Sequence, residues 1–213
     1  QKQYTYELPV ASAQVKSSIL LAGLASGTGV EIIEPIQTRD HTERMLKHFG
    51  ANIKITAEDS KNIIQLAPLN HLNAKNYTVV GDISSAAFLM VAALISDSPG
   101  LEITNVGMNP SRTGILLALQ KMGADIEVRN QRLESGEPCA DLKIKKSILR
   151  GVELSGDIIP NIIDEIPIIS IAAAFAEGET VIRDAAELRV KESDRLKAVS
   201  DGFTRLGVAH QNF

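Results

Sequence analysis

The sequence predicts an α/β fold turned inside out, with helices at its centre and strands on its surface. Three observations lead there. One order of elements, β-α-β-α-β-β, recurs along the chain. The first helix of each repeat is apolar nearly all round, as a buried helix must be. Strands and helices alternate throughout, which calls for sheets with helices laid against them.

The repeats align as "SAQVKSSILLAGLASGTGVEIIEPIQTRDHTERMLKHFGANIKI", "SSAAFLMVAALISDSPGLEITNVGMNPSRTGILLALQKMGADIEV" and "DEIPIISIAAAFAEGETVIRDAAELRVKESDRLKAVSDGFTRLGVAHQ". Each opens with an alanine-rich helix, expected over residues 12–26, 84–96 and 164–177. Turns at Gly27 and Gly29, Pro99 and Gly100, and Gly178 follow. The β-branched runs "VEIIEP", "LEITNV" and "TVIRDA" then read as strands. A polar loop leads into a second, amphipathic helix ending at "HFGA", "KMGA" or "RLGV". Gly50, Gly123 and Gly207 suit the left-handed position that closes a helix. Paired strands "NIKITAE" with "NIIQLAP" and "DIEVRNQ" with "ADLKIKK" complete the first two repeats. "YTVVG" and "VELSG" are expected to be the strands that introduce the second and third.

Composition narrows the function. A net charge of −4 gives no basic field for nucleic acid or an anionic membrane, and with no Trp there is little to stack on bases. The longest apolar run, "IIPNIIDEIPIISIAAAF", is broken by acids and prolines and makes no membrane span. The single cysteine, Cys139, has no internal partner for a disulfide, which suits a reducing compartment, the cytoplasm. The four histidines, His41, His48, His71 and His210, lack zinc-ligand spacing. The chain starts in a strand-like stretch without an initiator Met or a signal-peptide layout, and is expected to be a piece of a longer one.

Charge collects at one kind of place. "TRDHTERM", "NPSRTGIL" and "RVKESDRL" all occupy the loop before the second helix of their repeat. Arg39, Arg112 and Lys191 stand there, although a helix start repels cations. Lys191 and Arg195, four apart, would share a helical face and repel each other. A bound anion would turn both penalties into gains, which favours a phosphate or carboxylate site. The competing explanation is a solvated face, with Glu192 paired to Arg195. The start of the first helix holds "ASAQVKSS", "GDISSAA" and "IIDEIPII". Ser12, Ser84 and Asp164 are each suited to capping. Capping accounts less well for Gln14 and Lys16, polar groups in the first turn of an apolar helix. Asp164, set among isoleucines, is expected to be desolvated, the environment that makes an acid a usable general base.

Together, "ASAQVKS", "TRDHTERML", "GDISSAAF", "IDEIP" and "LRVKESDRL" closely resemble the 5-enolpyruvylshikimate-3-phosphate synthase family over essentially the whole chain. The resemblance implies an inverted barrel of six such units, three per domain, with the site in the cleft. This chain would hold the last unit of one domain, residues 1–77, and two units of the other, residues 78–213. It implies transfer of the enolpyruvyl group of phosphoenolpyruvate to the 5-hydroxyl of 3-phosphoshikimate, with phosphate released and no metal or cofactor required. Residue by residue, Ser12, Ala13 and Gln14 match the shikimate-phosphate pocket, with Gln14 also near phosphoenolpyruvate. Ala13 stands where serine is common and can offer only backbone. Arg39 is similar to an arginine that some branches use on the phosphorylated substrate. Asp164 matches the carboxylate at the shikimate hydroxyls and the proton-acceptor candidate. Lys191 matches a substrate-binding, charge-stabilising lysine. Glu192 matches the acid proposed to protonate the methylene carbon, and Arg195 an arginine that holds anionic groups.

The family's early lysine-serine segment, a first-domain arginine and the late arginine and lysine have no counterpart here. An incomplete site is therefore expected, with the remaining segments of the full-length enzyme as partners. Two other readings stand beside this one. One is the related enolpyruvyltransferase that acts on a UDP-amino sugar; the other is an inactive, anion-binding fragment of the fold.

Overall fold

A computed structural model describes residues 3–58, 61–68 and 71–211. The chain divides into two compact units, one of Gln1–Val79 with Leu133–Glu137, the other of Val80–Arg132 with Pro138–Phe213.

The first unit is one complete repeat. Its elements are β1 (Gln3–Glu7), α1 (Ala13–Ser26), β2 (Gly29–Glu34), α2 (His41–His48), β3 (Ile53–Glu58) and β4 (Lys61–Leu66). They form a four-stranded sheet in the order β1-β2-β4-β3. β1 runs parallel to β2, with Gln3 opposite Gly29, and the other pairs are antiparallel. Alternation along β2 turns Val30, Ile32 and Glu34 to the buried side. α1 meets that side with Lys16, Leu20 and Gly23, spaced as one helical face, and α2 with Glu43 and Leu46. Leu8, Leu20, Val30, Ile32, Leu46, Ile53, Ile64 and Leu66 make the core. Three charged residues, Lys16, Glu34 and Glu43, thus occupy positions whose periodicity is that of the core.

The second unit repeats the pattern. Its helices are α3 (Ile83–Ile95), α4 (Gly114–Lys121), α5 (Ile159–Ile162), α6 (Ile166–Ala174) and α7 (Arg195–Leu206). Its strands are β5 (Leu101–Gly107), β6 (Asp125–Glu134), β7 (Glu137–Lys145), β8 (Glu153–Leu154) and β9 (Val181–Ile182). The sheet order β5-β7-β6 reproduces β2-β4-β3 of the first unit. The parallel partner that β1 gives β2 is reduced here to one bridge, Gly81 to Val106. β8 and β9 pair in parallel as the opening of the third repeat. α3 packs on α6 and α4 on α5, at the centre of a single apolar cluster. Met90 and Leu94 in that cluster are wholly buried, each contributing about 1.5–3 kcal/mol. Gly114, the first residue of α4, lets the helices touch: a Cβ there would stand 2.7 Å from the Asn161 carbonyl oxygen.

The repeat, the inside-out arrangement and the helix-closing glycines match expectation, with Gly50, Gly123 and Gly207 at φ of 94°, 92° and 70°. Other expectations need correction. "YTVVG" forms no strand beyond the Gly81 bridge, and "VELSG" contributes only two strand residues. The helix expected over 164–177 is the shorter α6, Ile166–Ala174, and a separate short helix, α5, precedes it at Ile159–Ile162, each with a proline in its first turn. Proline has no N–H to offer and is suited to that position, so Pro160 and Pro167 start helices rather than continue one. α1 is buried along one face only, with Val15 and Leu21 exposed. Among the described residues no helix is long and apolar enough to cross a membrane.

Candidate active site

In the second unit the junctions before α6 and α7 come together on one guanidinium. Arg195 is the first residue of α7, whose N-cap, Asp194, accepts a hydrogen bond from the Lys197 N–H at 2.9 Å. From there Arg195 donates Nε to Glu192 Oε1 at 2.9 Å and Nη2 to Glu192 Oε2 at 3.1 Å. Its remaining nitrogen, Nη1, reaches Asp164 Oδ1 at 3.1 Å. One cation thus bridges the two acids singled out from the sequence. Hydrogen bonding to Arg195 holds the Glu192 carboxyl below the usual range, so it is ionised near neutral pH in this arrangement.

Asp164 has a second cation on its other oxygen, with Arg112 Nη1 at 3.6 Å from Oδ2. Arg112 also lies 3.4 Å from Asp82 and 3.9 Å from Glu165, and donates to the Ser84 hydroxyl. Ser84 in turn donates to Glu165. The desolvated carboxylate is therefore Glu165, at 3% exposure, and not Asp164, whose side chain is 34% exposed between two arginines. Burial pushes the Glu165 carboxyl up, against the opposing pull of the Ser84 hydroxyl and Arg112. Of the two adjacent acids in "NIIDEIPII", the one at the helix N-cap is buried and the preceding one is left facing the guanidiniums.

Neither Ser84 nor Asp164 is a cap. Asp82 caps α3, accepting from the Ser84 N–H, and Glu165 precedes α6 without a capping bond. Ser12 does cap α1, accepting from the Val15 N–H. Lys191 precedes α7, so it shares no helical face with Arg195, and it pairs with Glu187 at 2.5 Å. The Glu192–Arg195 pair required by the solvated-face explanation is present. The same arginine also holds Asp164, 31 residues away in sequence, which a solvated helix face does not explain.

In the first unit Ser12, Ala13 and Gln14 stand at the start of α1, with the Gln14 side chain exposed. Arg39 is exposed in the loop between β2 and α2 and makes no ion pair with a described residue. Beneath both segments Lys16 Nζ lies 3.0 Å from Glu34 Oε1 and 2.8 Å from Glu43 Oε1. Among the described residues, no group of three or more His, Cys, Asp or Glu side chains could hold a metal ion.

The chain has close relatives among known proteins. A family model described as EPSP synthase (3-phosphoshikimate 1-carboxyvinyltransferase) matches residues 1–213. A 3-phosphoshikimate 1-carboxyvinyltransferase of Desulforudis audaxviator is 52% identical over 202 residues, 95% of this chain and 46% of the relative. That of Synechocystis is 50% identical over 212 residues, 100% of this chain and 47% of the relative. Among solved structures, EPSP synthase from Acinetobacter baumannii superposes with a TM-score of 0.86 at 50% identity, covering 95% of this chain and 45% of that one. The enolpyruvyl transferase NikO from Streptomyces tendae shares the fold, with a TM-score of 0.61 at 18% identity over 87% of this chain and 44% of its own. The fold is thus that of the enolpyruvyl transferases. Within that class, the chain belongs to the EPSP synthase family, and it spans about half the length of the curated relatives it matches.

Proposed function

We propose that this chain supplies part of an enzyme that moves the enolpyruvyl group of phosphoenolpyruvate to the 5-hydroxyl of 3-phosphoshikimate and releases phosphate. In this reading residues 1–77 are the last repeat of one domain and residues 78–213 two repeats of the other. The observation that carries the reading is the single guanidinium of Arg195 spanning Asp164 and Glu192. Addition of a hydroxyl across an enol double bond requires one proton removed and one delivered. Two acids held on one cation, with a second arginine behind the first acid, suit that pair of transfers.

Asp164 is assigned to the shikimate hydroxyls and to accepting the 5-hydroxyl proton as its oxygen bonds to C2 of phosphoenolpyruvate. Glu192 is assigned to deliver a proton to C3. Expulsion of phosphate from C2 with loss of a C3 proton then restores the enol ether. In the resting arrangement Glu192 is held ionised by Arg195. An anionic substrate that draws Arg195 to itself releases Glu192 to take up the proton it donates. Lys191 is assigned to the substrate anions and to developing charge. Ser12, Ala13, Gln14 and Arg39 would receive the shikimate phosphate, with Gln14 also near phosphoenolpyruvate.

The test is phosphate release by the complete enzyme, measured with each acceptor. Release that needs both phosphoenolpyruvate and 3-phosphoshikimate supports the reading. Release with a UDP-amino sugar instead, or binding of 3-phosphoshikimate without turnover, overturns it.

A further inference from the structure

We infer that the buried cluster of Lys16, Glu34, Glu43 and Thr38 is a positioning device that fixes Arg39 relative to the first turn of α1. The inference rests on the proposed function insofar as those segments bind the phosphorylated substrate. Its structural content stands without it.

Each charged member is where the fold's own periodicity calls for an apolar residue: Lys16 above Leu20 on α1, Glu34 after Val30 and Ile32 on β2, Glu43 before Leu46 on α2. Their side chains are 1%, 2% and 1% exposed. One ammonium therefore faces two carboxylates out of water, a costly arrangement as far as stability is concerned. Desolvation of buried ion pairs commonly cancels their attraction, and well-packed apolar side chains of similar volume do as well or better. The account is not even fully balanced. The 2.8 Å contact from Lys16 to Glu43 is an ion contact without hydrogen-bond geometry, and neither oxygen of Glu43 has a hydrogen-bond partner among the described residues. Stability alone is a poor reason for this cluster.

What it does supply is a common anchor. Lys16 is four residues along α1 from Ser12, and its N–H donates to the Ser12 carbonyl at 3.1 Å. Glu34 ends β2, and its Oε1 accepts from Lys16 Nζ at 3.0 Å, from the Thr38 N–H at 3.0 Å and from the Thr38 hydroxyl at 2.5 Å. The loop after β2 is thereby folded back onto the same oxygen that holds α1. Arg39 follows directly, exposed and with no ion-pair partner among the described residues. Glu43 ties the first turn of α2, just beyond Arg39, to the same ammonium. The Ser17 and Thr42 hydroxyls, 2.6 Å apart, make a second tie between the two helices. The segments on either side of Arg39 and the helix start that carries Gln14 all end on one nitrogen.

The test uses Thr38→Val, Thr38→Ser and Lys16→Met in the complete enzyme, with two readouts. Hydrogen exchange at the amides of residues 38–40 should quicken about tenfold in Thr38→Val and Lys16→Met, and return toward normal in Thr38→Ser, while the Leu20 amide is unchanged. KM for 3-phosphoshikimate should rise about tenfold in the same two variants, with kcat kept within about twofold and KM for phosphoenolpyruvate little changed. Unchanged exchange in the loop, or a fall in melting temperature with KM unaltered, overturns the inference. If the parent enzyme turns over no 3-phosphoshikimate, it is the proposed function that fails, and the exchange measurement still decides the positioning role. Thr38→Val removes one hydroxyl at the edge of the cluster, so it remains informative even if Lys16→Met does not fold.

Discussion

One arginine holds both Glu192 and Asp164, and the proposed function gives the two acids different roles. In the complete enzyme Glu192→Gln is expected to keep both ligands bound and to lose about 10²-fold or more in turnover, the scale of general acid–base catalysis. Asp164→Asn should slow turnover too, and also weaken 3-phosphoshikimate, because an acceptor for its hydroxyls is lost. Steady-state kinetics with measured ligand affinities separates the two outcomes, and near-normal turnover in Glu192→Gln would remove its assignment. Glu165, one residue from Asp164, should report on folding instead. Its carboxyl is pushed up by burial, so the folded state holds a proton that the unfolded state has already released. That contribution favours folding at low pH, declines as pH rises past the ordinary glutamate value, and levels off above the raised one. Glu165→Gln should abolish this step, as urea melts across the acid-to-neutral range would show. A parent protein whose stability has no such slope would refute the assignment.

At the scale of elements, α7 places the guanidinium that joins the acids, and its start is held by Asp194. Asp194→Ala removes the cap and should cost about 1 kcal/mol. It should also fray the turn that carries Arg195, raising exchange at the Lys197 amide ahead of the rest of the helix. An unchanged melting temperature and unchanged exchange would show that other contacts hold that turn. Repeats, glycine closures and the order of elements were legible from sequence because they depend on local periodicity and on backbone conformations that glycine favours. The short α5 and the true length of α6 were less so: the apolar, alanine-rich pattern over 164–177 runs past both ends of α6, and nothing in it signals a separate turn of helix before it. The site was legible in part. "DEIP" announced two acids among isoleucines, but which one turned inward depends on Ser84 and Arg112, from a different repeat. Lys16 was visible as a polar residue with no capping role, whereas its partners Glu34 and Glu43 come from segments whose approach only the folded unit reveals.

Taken whole, the chain buries its apolar helices unevenly. α3 presents Met90, Val91 and Leu94 to the core, yet Phe88 and Leu89 on the same helix are 60% and 54% exposed. α1 leaves Leu21 half exposed, and Phe175, after α6, is 63% exposed. Large apolar side chains scattered singly are ordinary on a protein surface, but adjacent ones on a helix made of core residues are not. A repeat architecture buries each unit's apolar face against its neighbours, and relatives about twice as long have further chain with which to do so. The 213-residue chain expressed alone is therefore expected to dimerise or aggregate, and to bind a hydrophobic dye more strongly than the complete enzyme does. Light scattering over a concentration series decides it. Phe88→Ser together with Leu89→Ser should reduce the association without lowering the melting temperature, because those side chains contribute little burial to the folded unit. A monodisperse, stable monomer of 22.9 kDa at every concentration would show that the exposed side chains of α1 and α3 need no cover.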